Sequence, residues 1–155
     1  MKIVLLDTTD ILPIFGIGVS IPHLKDKLLE LANKYKLVIN SLSLLKAKWK
    51  ALKLAKKNPK ILDTYAEGLL FIMYGGIFEI IPFYMPEIDE IATHLYKYHK
   101  DYIDCSILAS AFVMADIFVT EEVKNMKNLV TNIPSSQHIY RRRSTLLEIL
   151  IIENI

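Results

Sequence analysis

The sequence has few of the features that commonly identify a function. Its single cysteine, Cys105, lies within an apolar run, which argues against disulfide bonds and against a metal site made of thiolates. We expect this residue to behave as a small buried hydrophobic side chain in a reducing compartment. The net charge of +2 is too small to identify a partner by itself.

Hydrophobic runs long enough to cross a membrane are also absent. The uncharged runs GLLFIMYGGIF and CSILASAFVMA are too short to span a bilayer, although the mean hydropathy is +0.30. The start MKIVLLD reaches an acidic residue too early for a signal peptide. We therefore expect a cytoplasmic protein that does not interact with a membrane.

The sequence does have enough apolar residues for one hydrophobic core. Of its 155 residues, 52% are hydrophobic and 23% are charged, a composition typical of a folded chain rather than a disordered one. No repeat, low-complexity tract or linker divides the chain. We predict a single domain over residues 1–155.

Short apolar runs alternate with helical patterns along the chain. Strands are predicted at KIVLL, KLVIN, IFEIIPF and DIFVT. Helices are predicted over residues 22–34, from Ser41 or Ser43 to Asn58, over residues 59–74, from Pro86, and from about Asp101. Strands separated by helices imply parallel crossovers, so the sequence predicts a three-layer α/β/α sandwich with a central, mostly parallel sheet.

Acidic residues follow two of the predicted strands. Asp7 comes directly after the first strand, and Glu121 and Glu122 come after the last. Asp101 and Asp104 begin the helix that precedes that last strand. Ligands of such sheets bind outside the carboxyl ends of the strands, so these acids are predicted to converge there.

The chemistry of converging carboxylates favours a divalent cation. Several carboxylates in one cleft repel each other unless a cation neutralises them. Oxygen ligands without a histidine cluster favour Mg²⁺ or Mn²⁺, which commonly activate water for attack on a phosphodiester. The alternative is that each acid is an ordinary turn or capping residue and that the carboxylates do not converge.

Two stretches, KIVLLDTTDILPIF and DYIDCSILASAFVMADIFVTEE, together resemble the PIN-domain family over roughly residues 2–131. Asp7 with Thr8 matches the first family motif, Asp104 the helix acid, and Thr120 with Glu122 the final motif. The resemblance implies a PIN-like fold and a Mg²⁺- or Mn²⁺-dependent endoribonuclease. Many family members are toxins of prokaryotic toxin–antitoxin pairs, so RNA and an antitoxin protein are the implied partners.

The resemblance also implies roles for individual acids. Asp7, Asp104 and Glu122 are implied as metal ligands and catalytic residues, and Asp101 as an auxiliary acid that helps to position water. Glu122 replaces the usual aspartate, which changes the reach of the carboxylate.

Lys46 departs from the family pattern. Members usually carry a glutamate five residues after a serine on the helix that follows the second strand, but here Ser41 is followed by Lys46. This lysine could abolish metal binding, leaving a catalytically impaired module that binds RNA or a protein partner. Alternatively, Lys46 could turn outward or contact the scissile phosphate while a single metal is held by Asp7, Asp104, Glu122 and Asp101. A sharper hypothesis is that its ammonium replaces the metal in a buried ion-pair network with Asp7 and Asp104.

Basic residues beyond Lys46 form a second pattern. At about 100° per residue, Lys46, Lys50, Lys53 and Lys57 fall in one stripe of a helix. The opposite side, expected to face the core, holds Leu44, Ala47, Ala51, Leu54 and Ala55. The stripe is either a solvated face or a track for RNA phosphates. Arg141, Arg142 and Arg143 are a second candidate for phosphate contacts, with a solvated turn as the alternative.

Two apolar segments have no assigned role. The stretch LLFIMYGGIFEIIPFYM is expected to be core, but an exposed part of it could pair two copies of the chain or receive an antitoxin segment. The terminal STLLEILIIENI could form a closing helix, an edge strand or a docking segment.

Overall fold

The centre of the protein is a parallel β-sheet, seen in a computed structural model that describes residues 1–18, 20–82 and 84–155. Within those ranges the sheet has five strands in the order β3-β2-β1-β4-β5, and every neighbouring pair is parallel. The strands are β1 (Ile3–Leu6), β2 (Lys36–Asn40), β3 (Phe78–Ile81), β4 (Ile117–Val119) and β5 (Glu148–Leu150). The predicted sheet is confirmed, and the terminal segment contributes an edge strand.

Helices connect and cover the strands. They are α1 (Thr8–Ile11), α2 (Leu24–Lys34), α3 (Ser41–Ala55), α4 (Ile61–Tyr74), α5 (Pro86–Leu95), α6 (Tyr102–Met114) and α7 (Val123–Val130). Short 3₁₀ helices cover Leu12–Phe15, Ser135–Tyr140 and Ile152–Asn154. The sequence did not predict α1, α7 or the 3₁₀ turns, because segments this short carry little periodicity. Among the described residues, no helix is both long enough and apolar enough to cross a membrane.

Hydrophobic cores lie on both faces of the sheet. Alternate residues of β1 point to opposite faces, so Val4 and Leu6 pack with α1 to α4, whereas Leu5 packs with α5 to α7. The strands therefore read as nearly continuous apolar runs, as expected when both faces are covered. This arrangement is the predicted three-layer sandwich.

Helix α3 begins differently from the sequence prediction. The capping residue is Asn40, whose side chain accepts a hydrogen bond from the backbone N–H of Leu42 at 2.8 Å. Neither Ser41 nor Ser43 takes that role. Along the same helix Ala47 and Ala51 are buried as predicted, but Leu54 is 45% exposed and does not face the core.

Helix α6 begins as predicted, at Asp101. One carboxylate oxygen of this residue accepts from the backbone N–H groups of Ile103 at 2.9 Å and Asp104 at 3.3 Å. Nine residues of α6 are buried, because the helix packs between the sheet and α5. Its amino end, by contrast, reaches the surface at the carboxyl edge of the sheet.

The strand order determines where ligands can bind. Strand β1 lies between β2 and β4, with Leu6 paired to Ile39 on one side and to Val119 on the other. Successive connections run to opposite sides of β1, so the carboxyl ends of β1 and β4 form a topological switch point. Asp7 and Thr120 directly follow the two strands at this point.

Candidate site at the carboxyl edge of the sheet

Asp7 is held between β1 and β4 by hydrogen bonds. One carboxylate oxygen accepts from the hydroxyl of Thr120 at 2.8 Å, and the other accepts from the backbone N–H of Thr8 at 2.7 Å. Burial raises the pKa of Asp7 above its ordinary value, the two hydrogen bonds oppose that rise, and the nearby Asp104 adds to it. Lys46 acts in the opposite direction, so Asp7, Asp104 and Lys46 share one electrostatic site.

Lys46 lies directly against the acids of α6. Its ammonium donates to Oδ1 of Asp104 at 2.7 Å and to Oδ2 of Asp101 at 3.1 Å. Partial burial would lower the pKa of Lys46, but these two hydrogen-bonded carboxylates raise it above the ordinary value. Burial would likewise raise the pKa of Asp101, and the contact with Lys46 lowers it instead. The three side chains therefore form one ion-pair cluster, in which the ammonium offsets one of the two negative charges.

His99 completes the contacts of Asp104. Its Nε2 lies 3.2 Å from Oδ2 of Asp104, the oxygen that Lys46 does not contact. Both oxygens of Asp104 are thus hydrogen-bonded within the chain. The histidine therefore belongs to the same cluster.

Glu122 lies next to the site but outside this cluster. Its backbone N–H donates to the hydroxyl of Thr120 at 3.1 Å, which links it to the residue that contacts Asp7. The residue itself is exposed, as is Glu121. The structure therefore brings Asp7, Asp101 and Asp104 together and leaves the predicted third metal ligand at the rim.

These donors do not fit a divalent cation in this arrangement. Among the described residues, no group of three or more His, Cys, Asp or Glu side chains is placed to hold a metal ion. A cation is already in contact with Asp104, since the Lys46 ammonium lies 2.7 Å from its carboxylate. The assignment of Asp7, Asp104 and Glu122 to Mg²⁺ or Mn²⁺ stays a prediction.

Several hydroxyls near these strand ends are buried without a partner in the described part of the chain. They belong to Thr8, which follows Asp7, and to Ser41 and Ser43, which follow β2. Buried polar groups without partners are uncommon in folded proteins. This edge of the sheet therefore retains hydrogen-bonding capacity that the described protein groups do not use.

Asp10 is the residue that the sequence reasoning missed. It lies on α1, is only 5% exposed, and its Oδ2 has no hydrogen-bond partner among the described residues. Burial, followed by the negative charges of Asp7, Glu121 and Glu153, raises its pKa to about 8. The signal in the sequence was an acid between two apolar runs, three residues after Asp7.

The lysine stripe runs outward from Lys46 along α3 as far as Lys53. Lys57 lies in the turn after the helix, which ends at Ala55 and is therefore shorter than predicted. Lys50, Lys53 and Lys57 are all exposed, and Trp49 beside them is 49% exposed. This exposure agrees with both interpretations, a solvated face and a phosphate track.

The predicted arginines lie at the other edge of the sheet and make contacts within the chain. Arg141 donates to the backbone carbonyls of Phe112 and Ala115 and so closes the carboxyl end of α6. The structure does not bring these arginines to the acids, and their contact with RNA stays a prediction. Arg142 and Arg143 pair with carboxylates, Arg142 with Glu87 and Arg143 with Asp116.

Comparison with known proteins supports the fold. No protein-family model matches the chain, and no curated protein matches it. A chain in the crystal structure of VapBC2 from Rickettsia felis, bound to a DNA fragment from their promoter, does match, with a TM-score of 0.62 and 19% sequence identity. The match covers 95% of this chain and 98% of that chain. At this identity the likeness concerns the fold alone, and the fold is PIN-like.

Proposed function

We propose that this chain is a PIN-like module that binds RNA along α3 and whose acidic residues are neutralised by Lys46 in place of a metal ion. The observation that carries the proposal is the position of the Lys46 ammonium, 2.7 Å from Asp104 and 3.1 Å from Asp101. The resemblance to the PIN-domain family implies a glutamate at this position. The module therefore acts by binding and not by metal-dependent hydrolysis.

Electrostatics support the exclusion of a divalent ion. A metal between Asp7 and Asp104 would lie beside the ammonium of Lys46, and like charges in a partly buried site repel strongly. Moving the lysine away would also remove its two hydrogen bonds to carboxylates, which are among the stronger hydrogen bonds in proteins.

The arrangement of α3 supports RNA as the ligand. Its exposed lysines continue outward from the acidic cluster and could follow a phosphate backbone. Trp49 presents an exposed aromatic surface beside them, on which a base can stack. Single-stranded nucleic acid is commonly bound by this combination of lysines and aromatic side chains.

Calorimetric titration with Mg²⁺ or Mn²⁺ tests the role of Lys46. We expect no tight binding by the wild type and measurable binding by Lys46→Glu, which restores the acid. The matched control is Lys50→Glu, which makes the same charge change on the exposed stripe and should bind no better than wild type. Comparable tight binding by wild type and Lys46→Glu would contradict the proposal.

Salt dependence tests the RNA track. We expect Lys50, Lys53 and Lys57 together changed to glutamine to flatten the slope of log affinity against log salt by about 2, given roughly 0.7 per phosphate contact on a single strand. An exposed control set, Lys27, Lys34 and Lys97 changed to glutamine, should leave the slope unchanged. Equal slopes for the two triple variants would contradict a track on α3 and favour a protein partner.

A second candidate function is a metal-dependent endoribonuclease, including one that is the toxin of a toxin–antitoxin pair. It is favoured by the proximity of Asp7 and Asp104, whose charges interact. Under this candidate Mg²⁺ or Mn²⁺ is the cofactor, Glu122 turns inward, and an antitoxin or a second copy of the chain is a partner.

A nuclease assay separates the two functions. Wild type and Asp104→Asn are incubated with structured and single-stranded RNA in the presence of Mg²⁺ or Mn²⁺. We expect no cleavage by either protein. Cleavage by wild type that is lost in Asp104→Asn would overturn the binding module in favour of the enzyme, whereas equal cleavage by both indicates contamination.

A further inference from the structure

A pocket lies beside α1. Its volume is about 450 Å³. Three acids and several apolar side chains line it, the acids being Asp10, Glu121 and Glu153, and the apolar side chains including Leu12, Ile17 and Ile152. The pocket thus joins residues from α1, the turn after β4, and the terminal 3₁₀ helix.

Asp10 is built into the wall of this pocket without a partner. The residue is 95% buried, since only 5% of its surface is exposed, and its Oδ2 is buried with no hydrogen bond from the described residues. The charges that act on it come from Asp7, Glu121 and Glu153, all of one sign. Asp104, by contrast, is contacted by Lys46. Asp10 therefore lies among negative charges, with no positively charged side chain acting on it in the described part of the chain.

The walls define the chemistry of what fits. An N–H donor with a positive charge would pair with the carboxylate of Asp10 and offset the acids around it. A short aliphatic chain attached to that donor would contact Leu12, Ile17 and Ile152. A primary amine on an alkyl chain combines both features.

We infer that this pocket binds an alkylammonium group, either a free aliphatic amine or the side chain of a lysine in a peptide. The inference does not rest on the proposed RNA binding, because Asp7 is already hydrogen-bonded to Thr8 and Thr120 and the lysine stripe lies on a different helix. Failure of either proposal would leave the other unaffected.

Titration followed by two-dimensional NMR tests the inference with defined probes. n-Pentylamine supplies the free amine, Nα-acetyl-lysine methylamide supplies the side chain, and n-pentanol supplies the same aliphatic chain without charge. We expect saturable shifts of the amide signals of residues 9–17 and 152–154 with at least one amine. Whichever of the two amines binds more tightly identifies the source of the ligand. We expect binding to n-pentanol that is weaker by about tenfold or more.

Variants distinguish the pocket from a general attraction of cations to acids. Asp10→Asn keeps the shape of the side chain and should weaken amine binding by about tenfold or more, whereas Glu153→Gln at the rim should weaken it less. The matched control is Asp63→Asn, an exposed acid on α4, which should bind like wild type. Equal binding by Asp10→Asn and wild type, equal binding of n-pentanol, or shifts confined to the Lys46 cluster would each overturn the inference.

Discussion

Each of the two edges of the sheet holds a buried aspartate, and the two aspartates differ in their hydrogen bonding. At the amino edge, Asp116 is 3% exposed and both of its oxygens are satisfied. Oδ1 accepts from Arg143 at 3.0 Å and Thr145 at 2.9 Å, and Oδ2 accepts from the backbone N–H of Ile3 at 2.8 Å. At the carboxyl edge, Asp10 is 5% exposed and its Oδ2 has no partner among the described residues.

The pKa values express the same difference. Burial would raise the pKa of Asp116, but its hydrogen bonds from Arg143, Ile3 and Thr145 lower it to about 2. Burial and three neighbouring acids raise that of Asp10 to about 8. The amino edge is thus built for stability, whereas the carboxyl edge keeps a carboxyl group without a hydrogen-bond partner among the described residues, as edges that bind ligands commonly do.

Arg143→Met removes the ion pair with Asp116 at the amino edge and should have the largest effect on stability. The variant leaves the buried carboxylate of Asp116 without its positively charged partner, which we expect to lower the free energy of unfolding by about 3 kcal/mol. Urea denaturation at pH 7 measures it. Because the pKa of Asp116 is lowered in the folded state, this stabilisation is present above about pH 4 and is lost as the pH falls towards 2.

Arg142→Met is the matched control for that loss. This neighbouring arginine pairs with Glu87 at the surface, where its side chain is 51% exposed, so its removal should cost less than about 1 kcal/mol. If both variants lost the same stability, the ion pair with Asp116 would not be what stabilises the amino edge.

Asp10→Asn removes the buried acid at the carboxyl edge and should stabilise the fold. The pKa of Asp10 is raised in the folded state, so the cost of its charge is absent below about pH 4 and grows until the pH passes about 8. We expect the variant to be more stable than wild type at pH 9, by less than the roughly 6 kcal/mol that a rise of four pKa units represents, and equally stable at pH 4, by urea denaturation. Asp63→Asn should show no such dependence, and a pH-independent difference for Asp10→Asn would argue against a strained carboxylate.

Lys46→Gln should have the smallest effect of the three on stability. The ammonium is partly exposed, with 23% of the side chain accessible, so its loss should cost about 1 kcal/mol at pH 7. Its contact lowers the pKa of Asp101, so the cost should shrink as the pH falls below about 4. Lys50→Gln, on the exposed stripe, should change the free energy of unfolding by less than about 0.5 kcal/mol. Equal effects at positions 46 and 50 would count against the cluster.

Much of the fold could be predicted because its strands and helices carry strong patterns. Strand β2 matches the predicted KLVIN run, and α6 begins at the predicted acid. The predicted capping residue of α3 was wrong, because Asn40 is both the last residue of β2 and the cap of the helix. Leu54 was wrongly placed in the core, because helical spacing gives the direction of a side chain but not where the neighbouring helix ends.

The candidate site could be predicted only in part. Acids that follow strands mark the carboxyl edge, so the approach of Asp7 to Asp104 follows from topology. The hydrogen-bond partners of a side chain depend on distances that a sequence pattern does not contain. The hypothesis therefore paired Lys46 with Asp7 and Asp104, whereas its hydrogen bonds are to Asp101 and Asp104. Asp10 was missed because its importance lies in the absence of a partner, which only packing shows.

The hydrogen bond between Thr120 and Asp7 joins residues that are 113 positions apart in the chain. Such a contact closes a long loop, and it requires β4 to have paired with β1. By contrast, Asn40, Ser41 and Lys46 come from one continuous strand and helix. The acidic edge therefore assembles only when most of the chain is in place, so an incompletely folded chain would carry the lysine stripe without the carboxylates that neutralise its first member.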